Sequence, residues 1–164
     1  MSLEQNTSFD TVYKRFFDRV EKDPDFFKYY NISEDKAMEI AVLRAESLLK
    51  DAIDVLMTKC SPDVNFHNYD DELECFNFKI TSIEIKLLCD IMYELYLKKD
   101  IVNLKPILNV LTASDIKALY SPNSERKTFQ DLCKFLEAEN EKSISKYIAK
   151  DRLTNKWKSI YDRR

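Results

Sequence analysis

The sequence predicts an all-α protein, a helical bundle of about four to six helices with a long irregular loop at about residues 61–80 and a basic C-terminal arm. Three observations carry this. The stretch Thr81 to Asp100, TSIEIKLLCDIMYELYLKKD, is apolar on almost every side of a helix, as expected for a segment walled in by other helices. Other runs repeat apolar residues at helical spacing between Ser, Asp and Pro breaks. The chain also contains no glycine, where average usage of about 7% predicts on the order of eleven. Tight hairpins then lose their preferred turn residue, while helices joined by Asn, Asp, Ser and Pro turns remain economical. The same absence removes P-loop and dinucleotide-binding motifs, which need glycine for close approach to phosphate.

A length of 164 residues suits one domain, assigned to 1–149, with 150–164 as an arm or terminal helix. Cys60, Cys75, Cys89 and Cys133 are isolated within largely apolar patterns and read as reduced core residues, which implies assembly in a reducing cytoplasm. The N-terminus, MSLEQNTSFD, shows no apolar signal region, and no run approaches the roughly 18 apolar residues of a membrane span. No membrane association is therefore expected.

In chain order, Ser8-Phe-Asp-Thr opens an amphipathic helix with Phe9, Val12, Tyr13, Phe16, Phe17 and Val20 on one face. Asp23 then caps a short helix starting at Pro24, where the missing proline amide costs nothing. Its Phe26, Phe27, Tyr29 and Tyr30 form an aromatic lid on the core. Ser33 caps a long helix from Glu34 to about Cys60. Its Ala37, Ala41, Ala45, Leu48, Ala52 and Val55 make a narrow small-residue seam for close helix approach, and Met38, Val42, Leu49, Ile53 and Leu56 widen that face. Arg44 is expected to lay its stem on the surface with its head in water. Ser61-Pro62 ends the helix, and the following residues alternate too weakly for more than a short extended segment.

Thr81-Ser-Ile-Glu84 reads as a capping box opening the central helix. Ile83, Leu87, Leu88, Ile91, Met92 and Leu95 form one stripe, while Lys86, Asp90 and Glu94 face water. Pro106 is expected to interrupt helix in the aliphatic connector that follows. A short capped helix spans Thr112 to Tyr120. Ser121-Pro122 starts a last long helix to about Ala149, with Phe129, Leu132, Cys133, Phe135, Leu136, Ile144, Tyr147 and Ile148 inward. Its polar middle, Glu137 to Lys142, predicts a helix that projects from the body or is covered there by another subunit.

Chemistry-bearing patterns are sparse. His67, the one histidine, lies among Asp63, Asp70, Asp71, Glu72 and Glu74, without a second His or Cys at ligand spacing and without the register or glycine of a calcium loop. It reads as part of an exposed acidic loop. Glu84-Ile-Lys86 matches the acid-x-Lys pattern of restriction-type nucleases in letters, but a capping box places it in a helical first turn rather than on a strand. No serine or cysteine pairs recognisably with His67. The expectation is no enzyme, no catalytic or metal-ligating residue and no cofactor.

One resemblance extends this reading. An apolar helix (Ile83 to Leu97), an aliphatic connector, Ser114-Asp-Ile-Lys-Ala-Leu-Tyr-Ser-Pro122, and a long charged helix ending near Tyr147 together resemble small helical proteins of the tailed-bacteriophage neck, the head-to-tail connector or adaptor family. The resemblance covers roughly residues 80–148, with D-I-K-x-x-Y-S its most specific part. It implies a structural virion protein, made in the host cytoplasm, that self-associates into a ring below the portal and contacts portal and other neck or tail proteins. The alternative is a small cytoplasmic helical interaction or regulatory protein without catalysis. A DNA-binding regulator is disfavoured, because no basic recognition helix is evident.

Net charge is −3, unevenly spread: residues 150–164 hold six basic and two acidic groups, leaving −7 on the preceding 149. Lys150, Arg152, Lys156, Lys158, Arg163 and Arg164 surround Trp157 and Tyr161, while Leu153, Trp157, Ile160 and Tyr161 share helical spacing. Lys150, Arg152, Leu153, Lys156, Trp157, Lys158, Tyr161, Arg163 and Arg164 are the candidate partner-binding residues. Three readings stay open: an anchor on an acidic partner, since Trp and Arg are enriched at binding hot spots; a channel lining that touches DNA phosphates without reading sequence; or a terminal helix folded back on the acidic body. The first reading predicts that deleting residues 151–164 leaves the fold intact but abolishes incorporation into the particle.

Overall fold

Helix α4 (Ser82–Val110) is packed against α1 (Asp10–Val20), α3 (Glu34–Lys59) and α5 (Pro122–Ile148), so the central helix has neighbours on three sides. The computed structural model describes residues 6–21, 24–27, 29, 31–110 and 122–159. The remaining elements are β1 (Thr7–Ser8), the single turn of helix α2 (Pro24–Phe27), β2 (Tyr69–Asp70) and β3 (Cys75–Phe76). The predicted helix at 112–120 and the Asp23 and Ser121 caps lie outside the described residues.

The core joins Leu88, Ile91 and Met92 of α4 to Leu49, Ile53 and Leu56 of α3 and to Val12 and Phe16 of α1, all essentially buried. Burying each such side chain contributes about 1.5–3 kcal/mol. Ala41, Ala45 and Ala52 are fully buried, consistent with the close-approach seam of α3, but Met38 is exposed. Ser33 caps α3 by accepting from the Lys36 amide. Ser8 instead belongs to β1, where its hydroxyl accepts from the Asp10 amide. Arg44 turns its head inward: it donates to the Phe26 carbonyl and the Tyr29 hydroxyl (2.8 Å) and covers the Phe26 ring.

Within 61–80 the chain is more ordered than the predicted loop. Strands β1, β3 and β2 form a small antiparallel sheet in that order, with Thr7 opposite Phe76 and Tyr69 opposite Phe76. Strands of two residues are too short to display a period, and the third partner comes from the N-terminal end of the chain. Edge-to-face packing of Phe9 on Phe76 and Tyr69, and of Phe66 on Phe78, fastens the sheet to the core. Without glycine, left-handed backbone falls to Asn31, Glu74 and Asn155; asparagine tolerates that region comparatively well.

Helix α4 does not stop at Asp100 but runs through Pro106 to Val110. A proline costs an interior helix about 3 kcal/mol, yet the helix continues on both sides of it. Glu94, expected in water, is buried, whereas Ile83 is half-exposed. The reason lies in α5, whose polar middle does not project. Asn140 is buried and donates to Glu94 Oε2 (2.7 Å) and to the Asp90 carbonyl (3.2 Å). Lys98 bridges Glu94 and Glu137, and Lys59 meets Glu141. Burial works against the Lys98 charge, but its hydrogen bonds to the two glutamates outweigh this and raise its pKa. A polar seam thus replaces the expected gap, and turning α5 this way leaves Leu132 and Phe135 outward, Phe135 61% exposed.

Candidate functional site

The candidate site is the segment after α5, and it is a closed hairpin rather than a helix. Lys150 and Trp157 form an antiparallel bridge. Asp151 N–H donates to the Lys156 carbonyl (2.7 Å) and Lys158 N–H to the Ala149 carbonyl (2.9 Å). The turn is built locally. Asp151 Oδ1 accepts from the Leu153 amide and from both the amide and hydroxyl of Thr154, the side-chain turn that Asp commonly makes. The Thr154 hydrogen bonds hold the Asp151 carboxyl below the usual range. Asn155 supplies the left-handed residue that closes the loop. The helical spacing of Leu153 and Trp157 is therefore incidental, because local Asx bonding competes with helix formation here.

The hairpin folds back on the body through one clamp. The capping box forms as read: Thr81 N–H donates to Glu84 Oε2 (2.8 Å), and Glu84 N–H to the Thr81 hydroxyl (3.3 Å). Glu84 is nevertheless fully buried, because its carboxylate also receives Arg152 through Nε (2.6 Å) and one terminal nitrogen, and the Tyr147 hydroxyl (2.7 Å). Arg152 donates further to the Lys79 carbonyl and lies over the Phe78 ring. Burial, then the hydrogen bond to Glu84, pushes the Tyr147 hydroxyl pKa well above its ordinary value. A carboxylate accepting four donors is a structural anchor, so Glu84 is spent as a metal ligand or general base. Lys86, its partner in the letter pattern, pairs instead with Asp90 (2.7 Å). His67 meets Asp54 (2.9 Å), and among the described residues no cluster of three His, Cys, Asp or Glu is positioned to hold a metal.

The candidate residues thus divide by role. Arg152 points inward as the clamp, and Lys158 is tied to Asp63 (2.6 Å). Lys150 lies over the Trp157 ring (5.1 Å), and Lys156 has no carboxylate partner among the described residues. Leu153 and Trp157 face outward, 78% and 69% exposed. A cleft beside them is lined by Val64, Leu153, Trp157 and Lys156 together with Asp63, Asp151 and Lys158. Tyr161, Arg163 and Arg164 lie outside the described residues. Glu84 and Tyr147 were missed as parts of this site; the Asp151-x-x-Thr154-Asn155 pattern was the available signal for the hairpin, and nothing local pairs residue 84 with residue 152. Arg152 completes a buried carboxylate, so deletion of 151–164 would strand the Glu84 charge, a cost the expectation above does not include. No helix among the described residues is long and apolar enough to cross a membrane. No protein-family model, curated protein or solved structure matches the chain.

Proposed function

We propose that this protein is a non-catalytic assembly subunit whose C-terminal hairpin is its docking element, and that it serves in the neck of a tailed bacteriophage as a head-to-tail connector joining the portal to the tail. One observation carries the docking role: two large apolar side chains, Leu153 and Trp157, are held outward on a segment clamped to the core through Arg152 and Glu84. An exposed tryptophan with Lys150 over its ring, on a preordered support, resembles the anchor of a binding hot spot, because little ordering entropy is left to lose on docking. The neck setting rests on the resemblance of residues 80–148 to connector proteins. In that setting the basic rim faces acidic surface on a portal or tail protein, or the DNA within the channel.

Detection of the chain at stoichiometric level in purified phage particles, with Trp157→Ala lowering its incorporation at least tenfold, is the expected result. Trp157→Ala removes exposed surface, so its folding stability should stay within about 0.5 kcal/mol of the parent. Absence from particles would overturn the neck assignment, and undiminished incorporation of the variant would overturn the role of the hairpin.

A further inference from the structure

Helices α4 and α5 run antiparallel, and where the start of α4 meets the end of α5 they leave a cleft of about 230 Å³. One wall is a single face of α4: Ile83, Lys86, Leu87 and Asp90. The other is a single face of α5 and its continuation: Ser143, Lys146, Tyr147 and Lys150. Both sets keep the spacing of neighbours on one helix face. Asp151, Arg152 and Asn155 of the hairpin complete the rim. The floor is apolar. Leu87 is buried, Ile83 is left 42% exposed, and Tyr147 contributes its ring because its hydroxyl is given to Glu84 (2.7 Å).

The cleft carries more cation than anion, and the surplus has a definite place. Arg152 is neutralised by Glu84 (2.6 Å). Asp90 is shared by Lys86 (2.7 Å) and Arg19, so this trio keeps one positive charge. Asp151 brings one negative charge, but its Oδ1 is already taken by three donors of the hairpin turn. Neither Lys146 nor Lys150 has a carboxylate partner among the described residues, and Glu139, two turns before Lys146, pairs with Lys142 (2.6 Å). Arg19, Lys86, Lys146, Lys150 and Arg152, set against Glu84, Asp90 and Asp151, leave two positive charges. Cations gathered over a low-dielectric floor repel one another and concentrate a counter-ion between them.

We propose that this cleft binds a small phosphate monoester with an apolar body. The phosphoryl group lies among Lys86, Lys146 and Lys150 with the Ser143 hydroxyl as a further donor, and the body rests on Ile83, Leu87 and the Tyr147 ring. A monoester carries about two negative charges above its second pKa near 6, which matches the surplus, whereas a carboxylate or a phosphodiester carries one. The cleft is smaller than the roughly 300 Å³ at which sites for drug-sized molecules begin, so the ligand is small. Neither Leu153 nor Trp157 lines it, and the proposal stands independently of the docking role of the hairpin.

Calorimetric titration of the full chain with phenyl phosphate, at about pH 8 and low salt, tests this. The expected result is saturable binding with a Kd at or below about 1 mM, weakened by salt. Inorganic phosphate, which lacks the body, and methyl phenyl phosphate, which lacks the second charge, should each bind at least about threefold more weakly. Lys146→Gln should lower the affinity for phenyl phosphate at least about threefold and K146Q/K150Q at least about tenfold. Lys142→Gln, which removes the same charge from α5 outside the cleft, should leave it unchanged. Lys146 and Lys142 are both exposed, so these single variants keep the fold and read the site whatever Lys150 contributes to the hairpin. Absence of saturable binding up to about 10 mM, an unchanged Kd in Lys146→Gln, an equal loss in Lys142→Gln, or equal affinity for either comparison phosphate would each overturn the proposal.

Discussion

Arg152 Nε lies 2.6 Å from the Glu84 carboxylate, 68 positions away in sequence, and joins the C-terminal hairpin to the first turn of α4. Removing one partner of a buried ion pair strands the other's charge, which costs about 3–5 kcal/mol. Arg152→Ala should lower stability by that order in urea denaturation, with Arg152→Lys recovering part of it. A loss under about 1 kcal/mol, the worth of an exposed pair, would show the clamp to be incidental.

Asn140 is the neutral donor that satisfies Glu94 in the seam between α4 and α5. Asn140→Ala should cost about 1.5–3 kcal/mol, the range for hydrogen bonds to charged groups. Asn140→Leu should be no better despite its larger apolar surface, since it also leaves Glu94 short of a donor. Thermal unfolding of the two variants checks this; a stabilising Asn140→Leu would contradict the account.

Stability should fall in alkali. Burial raises the Cys89 thiol from 9.0 to about 11, so between those values the unfolded chain has released this proton while the folded chain keeps it. The contribution is intact below the unfolded value and declines as pH rises toward the folded one, by about 1.4 kcal/mol per pH unit. Tyr13 and Tyr147, both pushed up chiefly by burial, add to the decline above their ordinary value near 10. Melting temperatures measured at intervals from about pH 8 to about pH 11 should drop, and Cys89→Ala should flatten the first part of the fall.

Asn155 holds φ 55° at the close of the hairpin. Asn155→Gly should be nearly neutral, whereas Asn155→Ala should cost about 1–2 kcal/mol, because a Cβ without a local hydrogen bond is penalised in that region. Melting temperature gives the ordering; equal values for the two variants would show that the turn relaxes to another geometry.

What was legible in the sequence was local. Ser33 and the Thr81–Glu84 capping box were readable because donor and acceptor lie within one turn, and α1, α3 and α5 were readable from their apolar spacing. The sheet was not, because Thr7 and Phe76 are distant in sequence and two-residue strands carry no period. The α4–α5 seam is not legible for a related reason: Glu94 and Asn140 each look solvent-seeking alone and become core residues only as a pair. The arm stands out in the sequence by its charge and tryptophan, but Arg152 looks like its outward cations because nothing near it identifies the buried acid it serves.

The clamp also orders events during synthesis. Glu84 leaves the ribosome well before Arg152, and a separation of 68 residues corresponds to about 3–14 s at typical elongation rates. Throughout that interval the start of the central helix carries a carboxylate without its cation, and burying it unpaired is costly. A polypeptide stalled before residue 152 lacks this cation, so it should carry the same penalty as Arg152→Ala even with its helices complete.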